Sequence, residues 1–134
     1  MSGARAPATV IREGELDWES WDDAALAAKS PVRWKLLLAG ERTGTTGFSL
    51  GVAEIPPGES LLLHHHGPPE AYYILEGRGA TEIAGVKHEV AAGTTLYIPA
   101  NALHRTVNTG DSPLKFLFIF PTDGFQEVAY HFDE

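Results

Sequence analysis

Between Trp34 and Phe120 short apolar runs alternate with clusters of turn-forming residues. The runs are WKLLLA, FSLGVAEI, SLLLHHH, AYYILE, ATEI, HEV, TLYI, HRTVN and LKFLFIF, and the breaks are GERTGTTG, PPGE, EGRG, IAG, AAG, IPAN and NTGDSP. Runs of strand length, in that number and with Gly, Pro, Asn and Asp between them, predict an all-β barrel over residues 36–134. The closing stretch FQEVAYHF reads as one more strand, or as a strand after a turn. Residues 17–29 have a different pattern: acids first, an alanine-rich middle and Lys29 near the end. That polarity complements a helix dipole and predicts a short helix, stopped by Pro31, within an N-terminal arm of residues 1–35. Trp18 and Trp21, three apart, would then share a helix face packed on the barrel.

The run LKFLFIF is apolar on both of its faces, with Phe116, Phe118 and Phe120 on one and Leu117 and Ile119 on the other. A strand apolar on both sides is buried on both sides. One face is therefore expected inside the barrel and the other against the arm or a partner subunit, with a homodimer the favoured assembly.

Composition narrows the classes. A chain of 134 residues suits one domain. It has no cysteine, which removes disulfides, zinc–thiolate sites and cysteine nucleophiles and leaves nitrogen and oxygen donors for any metal. The formal net charge of −8 and the lack of a basic run interleaved with aromatics argue against a nucleic-acid surface. The first twenty residues lack the apolar core of a signal peptide, and no stretch approaches the ~20 apolar residues of a membrane span. A cytoplasmic protein without nucleic-acid or membrane partners is the expectation.

Six histidines are present, and three stand together at His64, His65 and His66. On a strand, side chains alternate between faces, so His64 and His66 share one face and His65 takes the other. Glu70 follows Gly67-Pro68-Pro69, a break that lets the chain turn, and by the same period Glu70 and Tyr72 share a face while Tyr73 opposes them. His65, His88 and His131 are expected to be structural, His88 on an exposed hairpin and His131 outward if Tyr130 is inward.

From Gly58 to Gly77 the spacing is G-x5-H-x-H-x3-E-x6-G. After 15 residues, Gly93, Pro99, His104 and Asn108 fall on G-x5-P-x-G-x2-H-x3-N, with Asn101 where the last glycine of that pattern would stand. Over about residues 46–120 the chain resembles the cupin superfamily, whose two motifs these are. Asn in place of the turn glycine is a mild departure, because Asn tolerates positive φ. The resemblance implies a single-domain, RmlC-like jelly-roll β-barrel with His64, His66, Glu70 and His104 as ligands of one metal ion. Three imidazoles and a carboxylate suit a borderline divalent ion, Fe(II), Mn(II), Ni(II), Co(II) or Zn(II), with positions left for water or substrate.

Two tyrosines extend the pattern. Tyr72 should point into the barrel beside the metal, and Tyr130, alternating with Val128 and Phe132, could also face inward. The set His64, His66, Glu70, Tyr72 and Tyr73, with Tyr130 near the C-terminus, resembles cupin-type dimethylsulfoniopropionate lyases. That resemblance implies that the metal binds the substrate carboxylate, that Tyr72 removes the proton α to it, and that Tyr130 assists or positions. A phenol near a cation can serve as a general base; either tyrosine could instead only fill the barrel. Three other functions share the same ligands: an Fe(II)-dependent dioxygenase or oxidase, a metal-dependent isomerase or decarboxylase, and a non-catalytic cupin that binds a small ligand. Each implies a small-molecule partner. Arg33, Lys35 and Arg105 could hold a carboxylate, but Arg105 should alternate away from His104, and solvated charge accounts for all three.

Overall fold

The computed structural model describes residues 7–133; residues 1–6 of the arm and Glu134 lie outside the described residues. Among the described residues ten strands form two five-stranded antiparallel sheets. They are β1 Arg33–Leu38, β2 Ser49–Ile55, β3 Ser60–His65, β4 Glu70–Glu76, β5 Arg78–Ile83, β6 Val86–Ala91, β7 Thr95–Ile98, β8 His104–Asn108, β9 Leu114–Phe120 and β10 His131–Phe132. The first sheet runs β1-β2-β9-β4-β7 and the second β10-β3-β8-β5-β6. Every one of the nine apolar runs supplies a strand. The closing stretch is a single 3-10 turn, Phe125–Glu127, followed by the two-residue strand β10.

The sheets enclose one core. Along β9 burial alternates strictly, with Phe116, Phe118 and Phe120 inward and Leu117 and Ile119 half-buried on the outer face. Register carries the inner face across the first sheet: Phe118 lies opposite Gly51 and Tyr72, and Phe116 opposite Ala53 and Ile74. The Tyr72 and Phe116 rings pack with centroids 4.4 Å apart. Truncating a ring so enclosed costs about 3–5 kcal/mol. Gly77, which ends β4, has φ +84, and a Cβ there would collide with the Pro113 carbonyl.

The arm departs from expectation at the tryptophans. Its helix, α1, spans only Ala24–Lys29, because Asp23 caps it by accepting the Ala25 and Leu26 backbone N–H groups. Before that cap the arm makes a 3-10 turn at Glu13–Glu15 and no α-helix, and Glu19 forms a bridge with Trp34 of β1. Trp18 and Trp21 therefore share no helix face. Trp18 covers the cations of Arg33 and Lys35 on the outer face, 4.2 and 4.6 Å from the ring centroid, while Trp21 packs on Trp34, Tyr130 and Phe132. Further along the arm, Glu13 ties down the same outer face. Its carbonyl accepts from Lys35 Nζ at 3.1 Å and its carboxylate meets Lys115 Nζ at 2.7 Å. The arm thus covers part of the outer face of the first sheet. Tyr73, Leu75 and Tyr97 remain exposed on the rest.

Candidate metal centre

The centre lies between the sheets. His64 on β3 and His104 on β8 are direct partners in the second sheet, so the strand period turns both inward. His66 follows the end of β3, its carbonyl accepting from the Asn101 N–H at 2.9 Å. Asn101 has φ +62, the positive region that its motif position requires, and its turn leads into His104. Glu70 opens β4 and reaches the centre from the opposite sheet. All four side chains are buried.

Each imidazole is locked by its outer nitrogen. His64 Nδ1 lies 2.6 Å from the Leu62 carbonyl, His66 Nδ1 2.9 Å from that of Pro68, and His104 Nδ1 2.9 Å from that of Ala102. A carbonyl only accepts, so each Nδ1 carries a proton; Nε2 of His64 and of His104 then presents a lone pair inward, while Nε2 of His66 faces the Glu70 carboxylate. That is how a protein orients metal-binding histidines. The donor atoms of His64, His66 and His104 all lie within 4.8 Å of one another. Glu70 Oε1 is 3.1 Å from His66 Nε2 and 3.5 Å from His104 Nε2. His64 Nε2 and His104 Nε2 are buried without a hydrogen-bond partner. Buried polar atoms are rarely left so, and two of them converging with a carboxylate make a donor set that could hold a divalent ion.

Titration follows from burial. Desolvation, reinforced by His104, pulls His64 down to about 2. Burial also pulls on His66, but the hydrogen bond and charge of Glu70 outweigh it and raise that group. Burial and the Glu70 charge push Tyr72 well above its ordinary value, against a hydrogen bond from Thr106 that lowers it. Tyr130 is raised by burial, then by Glu70 and Tyr72.

Both tyrosines join the centre. Tyr72 sits two residues after Glu70 on the inner face of β4 and is fully buried. Tyr130 stacks on His64 at 5.1 Å and meets His66 edge-on at 5.1 Å. Glu70, Tyr72 and Tyr130 line one internal cavity with Trp21, Trp34, Phe116, Phe118 and Phe125. Its free volume of about 20 Å³ suits roughly one water. Trp34 and Phe125 were not legible as site residues, since nothing in their spacing links them to the histidines. The cations stay away: Arg33 pairs with Glu54 at 2.6 Å, Lys35 faces the arm, and Arg105 is opposite Glu82 across β8 and β5. His65 stacks on His131 with centroids 5.0 Å apart and lies 3.7 Å from Asp133, outside the centre, and His88 is exposed on β6.

A double-sheet β-barrel with inward histidines from paired strands of one sheet defines the class. The Cupin domain family matches residues 51–120, and the chain belongs to it. It is 44% identical over 101 residues to the dimethylsulfoniopropionate lyase DddW of Ruegeria pomeroyi, covering 75% of this chain and 66% of that protein. The chain thus spans a little under two thirds of the lyase's length. It is 31% identical over 111 residues to the oxalate-binding protein of Thermotoga maritima, covering 82% of this chain and 91% of that one. A crystal structure of a cupin-2 domain from Rhodospirillum rubrum superposes with a TM-score of 0.75 at 21% identity, covering 98% of this chain and 84% of that one.

Proposed function

We propose that this protein is a mononuclear metal-dependent lyase that removes dimethyl sulfide from a small β-sulfonio carboxylate. His64, His66, Glu70 and His104 are its ligands and Tyr72 its base. The observation that carries the reading is that the two tyrosines of the lyase pattern line the same cavity as Glu70, beside the histidine cluster. The 44% identity to a dimethylsulfoniopropionate lyase supports the substrate.

A divalent ion held by these donors would supply Lewis acidity, gathering the substrate carboxylate and offsetting the Glu70 charge, which adds to burial in raising both phenols. Tyr72 acts as the phenolate: it takes the proton from the α carbon, the C–H pair becomes the α–β double bond, and the β C–S pair leaves with sulfur. Dimethyl sulfide and acrylate are the products, and the proton passes from Tyr72 to solvent. Thr106 holds the Tyr72 hydroxyl in place, and Tyr130 covers the His64 and His66 rings and keeps bulk water out.

Gas chromatography of the headspace over metal-loaded protein tests this. Dimethyl sulfide should form with or without oxygen, which separates elimination from an oxygenase. Tyr72→Phe keeps the ring and loses the proton acceptor, so release should fall by about 10²–10⁴-fold, the usual worth of a general base. Undiminished release from that variant overturns the base assignment, and no release from wild type with any of the five candidate metals overturns the lyase.

A second reading has its own support. The 31% identity over nearly the whole oxalate-binding protein favours a cupin that binds a small carboxylate without turning it over. Binding by calorimetry with no product over hours would select it. For the assembly we propose a homodimer through the outer face of the first sheet, where Tyr73, Leu75 and Tyr97 are exposed beside half-buried Leu117 and Ile119. Light scattering at micromolar concentration should give twice the monomer mass.

A further inference from the structure

Four of the rings around the cavity form a closed cycle. Trp21 to Trp34 is 4.8 Å between centroids, Trp34 to Phe125 6.4 Å, Phe125 to Tyr130 6.0 Å, and Tyr130 back to Trp21 5.5 Å. All four line the cavity that also holds Glu70, and among the described residues neither Lys nor Arg lines it. Ordinary core packing explains adjacent rings, but it does not call for four of them to line a space next to a buried carboxylate. The Trp21 indole N–H is already spent on the Ser30 carbonyl at 3.1 Å, so that ring offers a ligand only its π surface.

We infer that Trp21, Trp34, Phe125 and Tyr130 form an aromatic box for a methylated onium group, sulfonium or quaternary ammonium, at the far end of the carboxylate substrate. The inference rests on the proposed metal–carboxylate contact only for the ligand's other end. Ring faces are negative and attract cations, more so when both are desolvated. A protonated amine would bring three N–H donors, and Glu70, the charged acceptor here, is already committed to His66. A methylated onium brings none, so it leaves water at less cost and its charge meets aromatic rings and one carboxylate. A cavity of about 20 Å³ must widen to admit it. Three of the rings can yield: Trp21 comes from the arm, and Phe125 and Tyr130 from the segment joined to the second sheet through the two-residue β10.

The test is binding rather than turnover. With Zn(II)-loaded protein at physiological salt, calorimetry compares 3-(trimethylammonio)propanoate with its neutral-ended isostere 4,4-dimethylpentanoate. The onium acid should bind about ten- to hundredfold more tightly, the scale that one or two desolvated cation–π contacts supply. Trp34→Leu and Phe125→Leu should each reduce that preference several-fold, and Zn(II) content and far-UV circular dichroism unchanged from wild type show that the variants fold. Equal affinities in wild type overturn the box without need of any variant, as does a preference that survives both substitutions. Tetramethylammonium, which has no carboxylate, separates the two readings. If it binds wild type and not Trp34→Leu while neither acid binds, the box stands and the metal–carboxylate contact falls. Dimethyl sulfide release without an onium preference would leave the lyase standing and remove the box.

Discussion

The inner and outer sides of the second sheet both carry histidine, in chemically opposite states. Inside, His64, His66 and His104 are buried, each Nδ1 is held by a carbonyl, and the Nε2 atoms converge. Outside, His65 and His131 stack on one another in contact with solvent, near Asp133. His64 and His65 differ by one position in the chain, and that step reverses the face. The comparison teaches that fitness to hold a metal would rest on three things together: strand parity, an outer carbonyl that fixes the ring, and burial that keeps the donor dry. His65 and His131 have proximity alone.

The sharpest way to break this contrast is to remove one member from each side. His104→Ala should lower metal affinity by more than about 100-fold, the upper range for losing merely a supporting partner. His65→Ala should leave both metal content and stability unchanged to within about 0.5 kcal/mol. Elemental analysis after dialysis reads the first and chemical denaturation the second. Equal losses from both variants would mean that the inner histidines are not special.

Acid supplies the next effect, in the metal-free protein. Because His64 is pulled from 6.5 to about 2, the unfolded chain takes up a proton there that the native one refuses. Its contribution is whole above pH 6.5 and shrinks by about 1.4 kcal/mol per unit as pH falls, until about pH 2. His66 runs the other way. Its folded value is raised, so its contribution is full below the ordinary value and is lost as pH rises through the raised one. Denaturation of chelator-treated protein should show stability declining below about pH 6.5, and His64→Gln should flatten that decline. A slope unaltered by the substitution would remove His64 as its source.

A smaller effect concerns the turn that delivers His104. Asn101→Ala places an unsuitable residue at φ +62 and should cost about 1–2 kcal/mol, whereas Asn101→Gly should cost little. Thermal melts of the two variants read the difference. Equal melts would show that the turn tolerates any residue and does not hold the inner set in place.

Much of the barrel could be read locally. Nine runs became nine strands because each carries its own alternation and its own breakers, and the parity that turns His64 inward and His65 outward is a property of a single strand. Tyr130 inward and His131 outward follow from the same rule. The helix was read too long, since acids at 17, 19 and 22 resemble a first turn until Asp23 is seen capping and Glu19 pairing with Trp34. Trp18 and Trp21 were consequently assigned one face when they occupy opposite sides of the first sheet's edge strand.

What the chain determined unaided is the strand pattern and the face that each histidine and Glu70 takes, because these depend on neighbours one to six residues away. Which side chains close around those donors was decided only in the folded protein. Trp21, Trp34, Phe125 and Tyr130 come from the arm, the first strand and the C-terminal segment, and they meet because β1 pairs with β2, β10 with β3, and the arm with β1. Contacts between residues a hundred positions apart leave no local trace, since the free energy that selects them is the burial of shared surface between elements rather than the preference of any one segment.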